Sequence, residues 1–162
     1  MKVYFDNAAT TPLDLEVFET MRPLMLNVYG NPSSTHAHGR EARTKLEYAR
    51  RTVADLLNTS PSEIFFTSGG TEADNTAITC SVDAYDLKHI ITSEIEHKAV
   101  LETSRKLEAE GKVKISYVDL DSEGHVNMGH LNDLLKNNSR SMVSLMHANN
   151  EIGTLNDIGA IG

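Results

Sequence analysis

The chain has 162 residues, 40% of them hydrophobic and 23% charged, with a formal net charge of -8. That length suits one domain with a real core and not two large ones, and the acidic balance argues against nucleic-acid binding, which usually needs a basic face. No apolar run approaches a membrane span, the Met1–Asp6 stretch is too short and too weakly apolar for a signal peptide, and the single cysteine, Cys80, excludes an intrachain disulfide and points to a reducing cytoplasm.

No internal repeat, low-complexity tract or flexible Gly/Ser linker interrupts the chain. Asp14 is placed to cap a helix carrying Val17, Phe18, Met21, Leu24 and Met25 on one side, with Pro23 expected to kink it or end its regular part. Tyr29-Gly30-Asn31-Pro32-Ser33-Ser34 reads as a loop. The clearest helix follows: Ala42, Leu46, Ala49, Val53 and Leu56 recur at helical steps, while Arg40, Glu41, Lys45, Glu47, Arg50 and Arg51 take the solvated side, until Asn58 and Pro61 stop it. The period then changes. Ile64–Thr67 reads as a short buried strand, and Ser68-Gly69-Gly70-Thr71 turns it into a helix through Cys80. His89–Thr92 is a second strand, and Val100, Leu101, Ser104 and Leu107 mark a helix ending near Gly111. Val113, Ile115 and Tyr117 alternate as a third strand. A turn through Asp121–Gly124 leads to a helix around Leu131, Leu134 and Leu135. Met142–Met146 reads as a fourth strand, apolar enough for burial on both faces. Strands alternating with helices predict an α/β fold: three layers around a mainly parallel sheet.

In such a sheet the carboxyl ends of the strands face the ligand crevice. The strand–Ser68-Gly69-Gly70-Thr71–helix passage suits a phosphate: the glycines admit an anion close to the backbone, the helix start offers free amides, and the Thr71 hydroxyl adds a donor. It reads equally as a tight turn whose threonine caps a helix. It has neither the Gly-Lys-Ser/Thr of a P-loop nor the dinucleotide fingerprint. His97, after the second strand, is a flat imidazole that can stack on a planar ligand or move a proton, or simply a surface histidine capping a loop. The His147–Thr154 run offers Asn amides as donors and acceptors on the same edge, or is a turn rich in Asn and Gly. His36 and His38 have no further ligands at metal spacing, so no metal site is predicted. Cys80 shares a helix side with Ala73 and Ala77 and reads as a buried small thiol rather than a nucleophile.

Five segments carry a resemblance in order and spacing. They are Tyr4–Pro12 (YFDNAATTP), Tyr29–Ser34 (YGNPSS), Phe66–Asn75 (FTSGGTEADN), Glu96–Leu101 (EHKAVL) and Met146–Thr154 (MHANNEIGT). They resemble the fold-type-I pyridoxal-phosphate enzymes, and among them the class V aminotransferase group with its cysteine desulfurases. The EHKAV and NNEIG strings favour the branch that serves iron–sulfur cluster assembly. The resemblance implies pyridoxal 5'-phosphate as cofactor, with Gly70 and Thr71 on its phosphate, His97 stacked on its ring as an acid/base group, and Asn150 beside the ring hydroxyl and the substrate carboxylate. It implies conversion of L-cysteine to L-alanine, with the sulfur leaving as a persulfide of an enzyme cysteine for a scaffold or carrier protein, in a homodimer. Residues 1–13 would belong to the small domain and 14–162 to an incomplete cofactor-binding large domain, with Asn7–Thr11 lining the mouth of the site. The acidic partner of the ring nitrogen, the Schiff-base lysine, the persulfide cysteine and a substrate-binding arginine are expected beyond Gly162, and neither Cys80 nor Lys98 takes those roles. The isolated chain is therefore expected to be inactive. Left open are another class V lyase or aminotransferase, and a residual dimerisation or binding domain without catalysis.

Overall fold

The computed structural model describes residues 1–162. They fall into two compact units, Met1–Phe66 and Thr67–Gly162.

The first unit is helical. Helix α1 (Leu15–Asn27) begins where the Asp14 carboxylate accepts the amides of Glu16 (2.8 Å) and Val17 (3.3 Å). Pro23 sits inside it, and the helix continues to Asn27 rather than ending there. Helix α2 (Ala37–Leu56) is capped by the imidazole of His36, which accepts the Gly39 amide at 3.3 Å, while His38 stacks on Tyr29 at 5.4 Å. These two histidines thus serve the helix start, as a solvated N-terminus would have it. Gly30 and Gly39 are required by close approach: a Cβ at Gly30 would lie 2.2 Å from the His38 carbonyl oxygen, and one at Gly39 2.4 Å from that of Ser34. Asn58, in the left-handed region at φ 52, ends α2 in a Schellman arrangement, with Thr59 N bonded to Ala54 O and Asn58 N to Asp55 O.

After a short 3-10 turn, Pro61–Glu63, the expected strand at Ile64–Thr67 does not form. A strand needs a neighbour for its amides and carbonyls, and none of the three strands pairs with this segment. Phe65 and Phe66 are 81% and 50% exposed. The segment is held from its own unit instead: the Arg50 guanidinium donates to the Ile64 carbonyl and lies 5.1 Å above the Phe66 ring. Arg50 is therefore half-buried and not on the solvated side.

The second unit is the α/β body. Helix α3 (Gly70–Ala84) leads to β1 (His89–Thr92), α4 (Lys98–Ala109), β2 (Lys114–Tyr117), α5 (Met128–Asn137), β3 (Ser141–Val143) and the short α6 (Ile158–Ile161). The sheet order is β2-β1-β3, all parallel, with Ile90 opposite Ile115 and Met142. Central β1 is buried at all four residues. Alternation sends Ile90 and Ile91 to opposite faces. Ile90 packs with Ile78, Val82, Val100, Leu107 and Val113, and Ile91 with Val118 and Leu131. Helices on both faces of a parallel sheet are the predicted three layers.

Two further expectations are corrected. The last strand is shorter than Met142–Met146, and its residues are half-buried rather than covered on both faces, because β3 is an edge strand paired only to β1. Cys80 is exposed. The buried side of α3 is Ile78 and Val82, and the Ala73–Ala77–Cys80 side faces solvent.

One polar feature of this core had no sequence signal. His89, 4% exposed, places Nδ1 3.2 Å from Ser141 Oγ on β3 and Nε2 2.8 Å from Ser116 Oγ on β2, so one imidazole ties all three strands.

Candidate active site

Three segments at the carboxyl edge of the second unit bear the candidate residues. The first is the start of α3. Gly69 is its N-cap, with no side chain capping the helix, and the first intrahelical bond is Ala73 N to Gly69 O at 3.1 Å. The amides of Gly70, Thr71 and Glu72 therefore point outward unpaired at the positive end of a 15-residue helix. The Thr71 hydroxyl does not take the cap. Glu72 reaches back to the preceding turn instead: its Oε2 accepts from Ser68 N (2.7 Å) and Ser68 Oγ (2.6 Å), leaving the helix amides free, and those bonds hold the Glu72 carboxyl below its usual range. Gly69 is extended, so backbone strain does not demand glycine there; a Cβ at Gly69 or Gly70 would stand in open space, the space an incoming anion needs. Free amides, a hydroxyl and no blocking side chain are a donor set that fits a phosphate monoester.

The second segment joins β1 to α4. His97 is exposed and is the N-cap of α4, its Nδ1 accepting the Ala99 amide at 3.1 Å. The capping role and a ligand role coexist: with Nδ1 as acceptor, the neutral ring carries its proton on Nε2, which is free. Asn75 ties α3 to this turn. With its amide oriented to satisfy both ends, Nδ2 donates to Ala99 O (3.2 Å) and Thr71 O (3.3 Å).

The third segment follows β3. Asn150 is exposed on a loop organised by Asn149, whose own carbonyl accepts Gly153 N and whose amide is bonded to Thr154 O, both at 2.9 Å. Gly153, at φ 78, makes the turn.

Two adjoining depressions join these segments. One, about 300 Å³, is lined by Thr71, Asn75, His97, Lys98, Ala99, Glu102 and Thr103. The other, about 380 Å³, is lined by residues 94–98 and 149–152. His97 lies in both, so it stands between Thr71 in one depression and Asn150 in the other. Gly70 stands beside Thr71 at the helix start. Reading along the sequence missed Glu96 beneath this surface. It is 8% exposed, and burial holds its carboxyl above the usual carboxylate range against the opposing bonds from Met146 N and Ser93 Oγ. Its only sequence signal was a place next to His97. No group of three or more His, Cys, Asp or Glu side chains is disposed to hold a metal ion, and no helix is long and apolar enough to cross a membrane.

The family model for class-V aminotransferases matches residues 3–162. A cysteine desulfurase IscS of Dictyoglomus turgidum is 48% identical over 97% of this chain, and one of Pseudomonas fluorescens is 46% identical over all of it. Among solved structures, a NifS-like protein superposes with a TM-score of 0.90 at 45% identity over 98% of the chain. A protein described as SspA in complex with cysteine superposes with a TM-score of 0.87 at 35% identity, again over 98%. The chain spans 40–41% of the length of those IscS relatives and 43% of the NifS-like chain. Its three-layer body and its site-bearing segments accordingly have the same origin: this chain belongs to the class-V aminotransferase family.

Proposed function

We propose that this chain is the N-terminal part of a pyridoxal-phosphate-dependent cysteine desulfurase, which converts L-cysteine to L-alanine and passes the sulfur as a persulfide toward iron–sulfur cluster assembly. The supporting observation is the uncapped start of α3 at Gly70-Thr71, sharing a depression with an imidazole whose Nε2 is free. The amides of Gly70 and Thr71 and the Thr71 hydroxyl bind the cofactor phosphate. The exposed ring of His97 packs on the flat cofactor, and its Nε2 holds or releases a proton. Asn150 donates its amide to oxygen acceptors of cofactor and substrate. When bound, the cofactor supplies an electron sink for the amino acid's bonds.

The remaining chemistry belongs to residues this chain does not offer. Cys80 lies nine residues beyond Thr71 (80 − 71), about 13 Å along the axis of α3, so it is not the sulfur acceptor. Lys98 opens α4 beside the stacking imidazole and is not assigned to the cofactor aldehyde. In the complete protein, residues 1–13 form part of the small domain and 14–162 part of the large one. That protein works as a cytoplasmic homodimer with a scaffold or sulfur-carrier partner.

The test adds pyridoxal phosphate and L-cysteine to the purified chain under reducing conditions and measures sulfide and alanine, with and without the remaining portion of a desulfurase. The chain alone releases no sulfide; cofactor binding and turnover are read with the remaining portion present. Thr71→Val keeps the shape, removes a donor and weakens cofactor binding by about 1–3 kcal/mol, and His97→Ala changes the cofactor's visible spectrum. Turnover by the chain alone, or cofactor affinity indifferent to Thr71→Val, refutes the assignment.

A further inference from the structure

His97 and Asn150 are both exposed, and each is preceded by a buried residue whose side chain is bonded to the other's loop. Glu96, 8% exposed, accepts the Met146 amide on Oε1 at 2.6 Å, across 50 residues of sequence. Asn149, 6% exposed, donates from Nδ2 to the Ile95 carbonyl at 3.0 Å, across 54 residues, and its Oδ1 accepts the amides of Glu151 (2.8 Å) and Ile152 (3.1 Å) in its own turn. Met146 is held from its other side too: its carbonyl accepts Nδ2 of Asn156 at 3.0 Å, and Asn156 Oδ1 accepts Val126 N at 3.1 Å.

We infer that Glu96 and Asn149 are positioning residues, a reciprocal clasp between the β1–α4 and post-β3 loops that sets the distance and facing of His97 and Asn150. The inference rests on the functional reading above, in which those two residues meet the cofactor. The physical case is one of order. Loops are the mobile parts of a fold, and two ligand groups on separate loops act as one site only when the loops move as one. A carboxylate is the strongest acceptor available for a backbone amide, and burying one is costly. One such group, which takes a weak 3.4 Å bond from Ser93 Oγ in its own segment and a 2.6 Å bond from an amide of the neighbouring loop, matched by a buried Asn returning a bond to the first loop, is an arrangement for registering two loops. His97 is fixed further by its own bond to the Ala99 amide, so rotation of the Ile95–His97 turn is felt at that amide.

The test reads amide hydrogen exchange in the intact protein, together with its affinity for pyridoxal phosphate. Glu96→Ala should speed exchange at Met146, in the other loop, by about tenfold or more, the equivalent of a lost hydrogen bond to a charged group. Glu96→Gln keeps an accepting oxygen and should restore most of the protection. Asn149→Asp keeps the Oδ1 bonds of its own turn, replaces the donor to Ile95 with an oxygen that repels that carbonyl, and should speed exchange at Ala99. Both disruptive variants should weaken cofactor binding roughly fivefold or more, with Glu96→Gln close to wild type. Changes confined to each residue's own loop, or Glu96→Gln as disruptive as Glu96→Ala, overturn the clasp. Were Glu96→Ala not to fold, Asn149→Asp decides the question from the other side. Crossed exchange effects with cofactor affinity indifferent to Thr71→Val and His97→Ala leave the clasp standing and refute the cofactor reading instead.

Discussion

Residues 1–66 and residues 67–162 follow the same local rules and differ in what they bury. Helices in both units start on side-chain caps at Asp14, His36, His97 and Asn127, with the glycine start of α3 the exception. One helix in each unit also ends in the same way: the left-handed residues Asn58 after α2 and Gly111 after α4 each close a Schellman arrangement. Yet in the first unit only Gly39 and Ala54 are buried, whereas the second holds all the buried large aliphatic side chains. Helix α1 shows the contrast: Val17, Phe18, Met21 and Leu24 share a side as their spacing predicts, and each is 37–47% exposed. Capping and periodicity are enough to make a helix. A core additionally needs a sheet or helix to receive the apolar side, and within this chain only residues 67–162 have one.

The largest effect that sharpens this contrast is expected in the sheet. Ile91→Ala, at a residue 0% exposed between Val118 and Leu131, should destabilise the second unit by about 2–5 kcal/mol, read as the shift in a denaturant midpoint. A loss below about 1 kcal/mol, within the scatter of volume-conserving swaps, would mean that this core is loosely packed and the contrast between the units overstated.

A smaller effect should come from pH. Burial, then the positive charge of Lys114, holds the His89 imidazole below its ordinary pKa of 6.5. The unfolded chain then binds the proton more readily, so the stability His89 contributes is complete above pH 6.5 and is lost as pH falls from there toward the folded-state value. Glu96 runs the other way. Burial raises its pKa above the ordinary 4.5, so the folded chain holds the proton longer and stability declines as pH rises through and beyond 4.5. Thermal unfolding of wild type, His89→Gln and Glu96→Gln from pH 4.5 to 8 separates the two. The advantage of wild type over His89→Gln should shrink toward low pH, and its standing against Glu96→Gln should worsen toward high pH. Parallel curves for all three would contradict both assignments.

The smallest effect is expected in the first unit. Phe65→Ser replaces a large apolar side chain that is 81% exposed and should change the stability of the 162-residue chain by no more than about 0.5 kcal/mol. A loss near that of Ile91→Ala, growing with protein concentration, would show that Phe65 is covered in solution by a second copy.

Much of this was readable from residue order, and the failures have a common cause. The second strand, His89–Thr92, the caps at Asp14 and Asn58, and the glycine end of α4 are written in neighbouring residues and were found where expected. The strand at Ile64–Thr67 and the burial of Cys80 failed because both depend on a partner surface: periodicity names an apolar side without saying whether anything meets it. The segments that carry Gly70, Thr71, His97 and Asn150, the residues proposed to meet the cofactor, stood out through their motifs. Glu96 and Asn149 did not, because a buried carboxylate next to a histidine, and the first of two asparagines, look like any polar loop until the other loop is in place.

The sequence by itself determined the α/β alternation of the second unit, the family, and the placing of the His97 and Asn150 segments after their strands, since each is carried by spacing within a few turns of chain. Only the tertiary structure decided which apolar sides are covered, that His89 rather than a hydrophobic residue ties the three strands, and that two loops some 50 residues apart hold one another through Glu96 and Asn149. Those are contacts between distant residues: they exist only once parallel pairing has set β1 beside β3, and no local pattern encodes which distant backbone amide a buried side chain will meet.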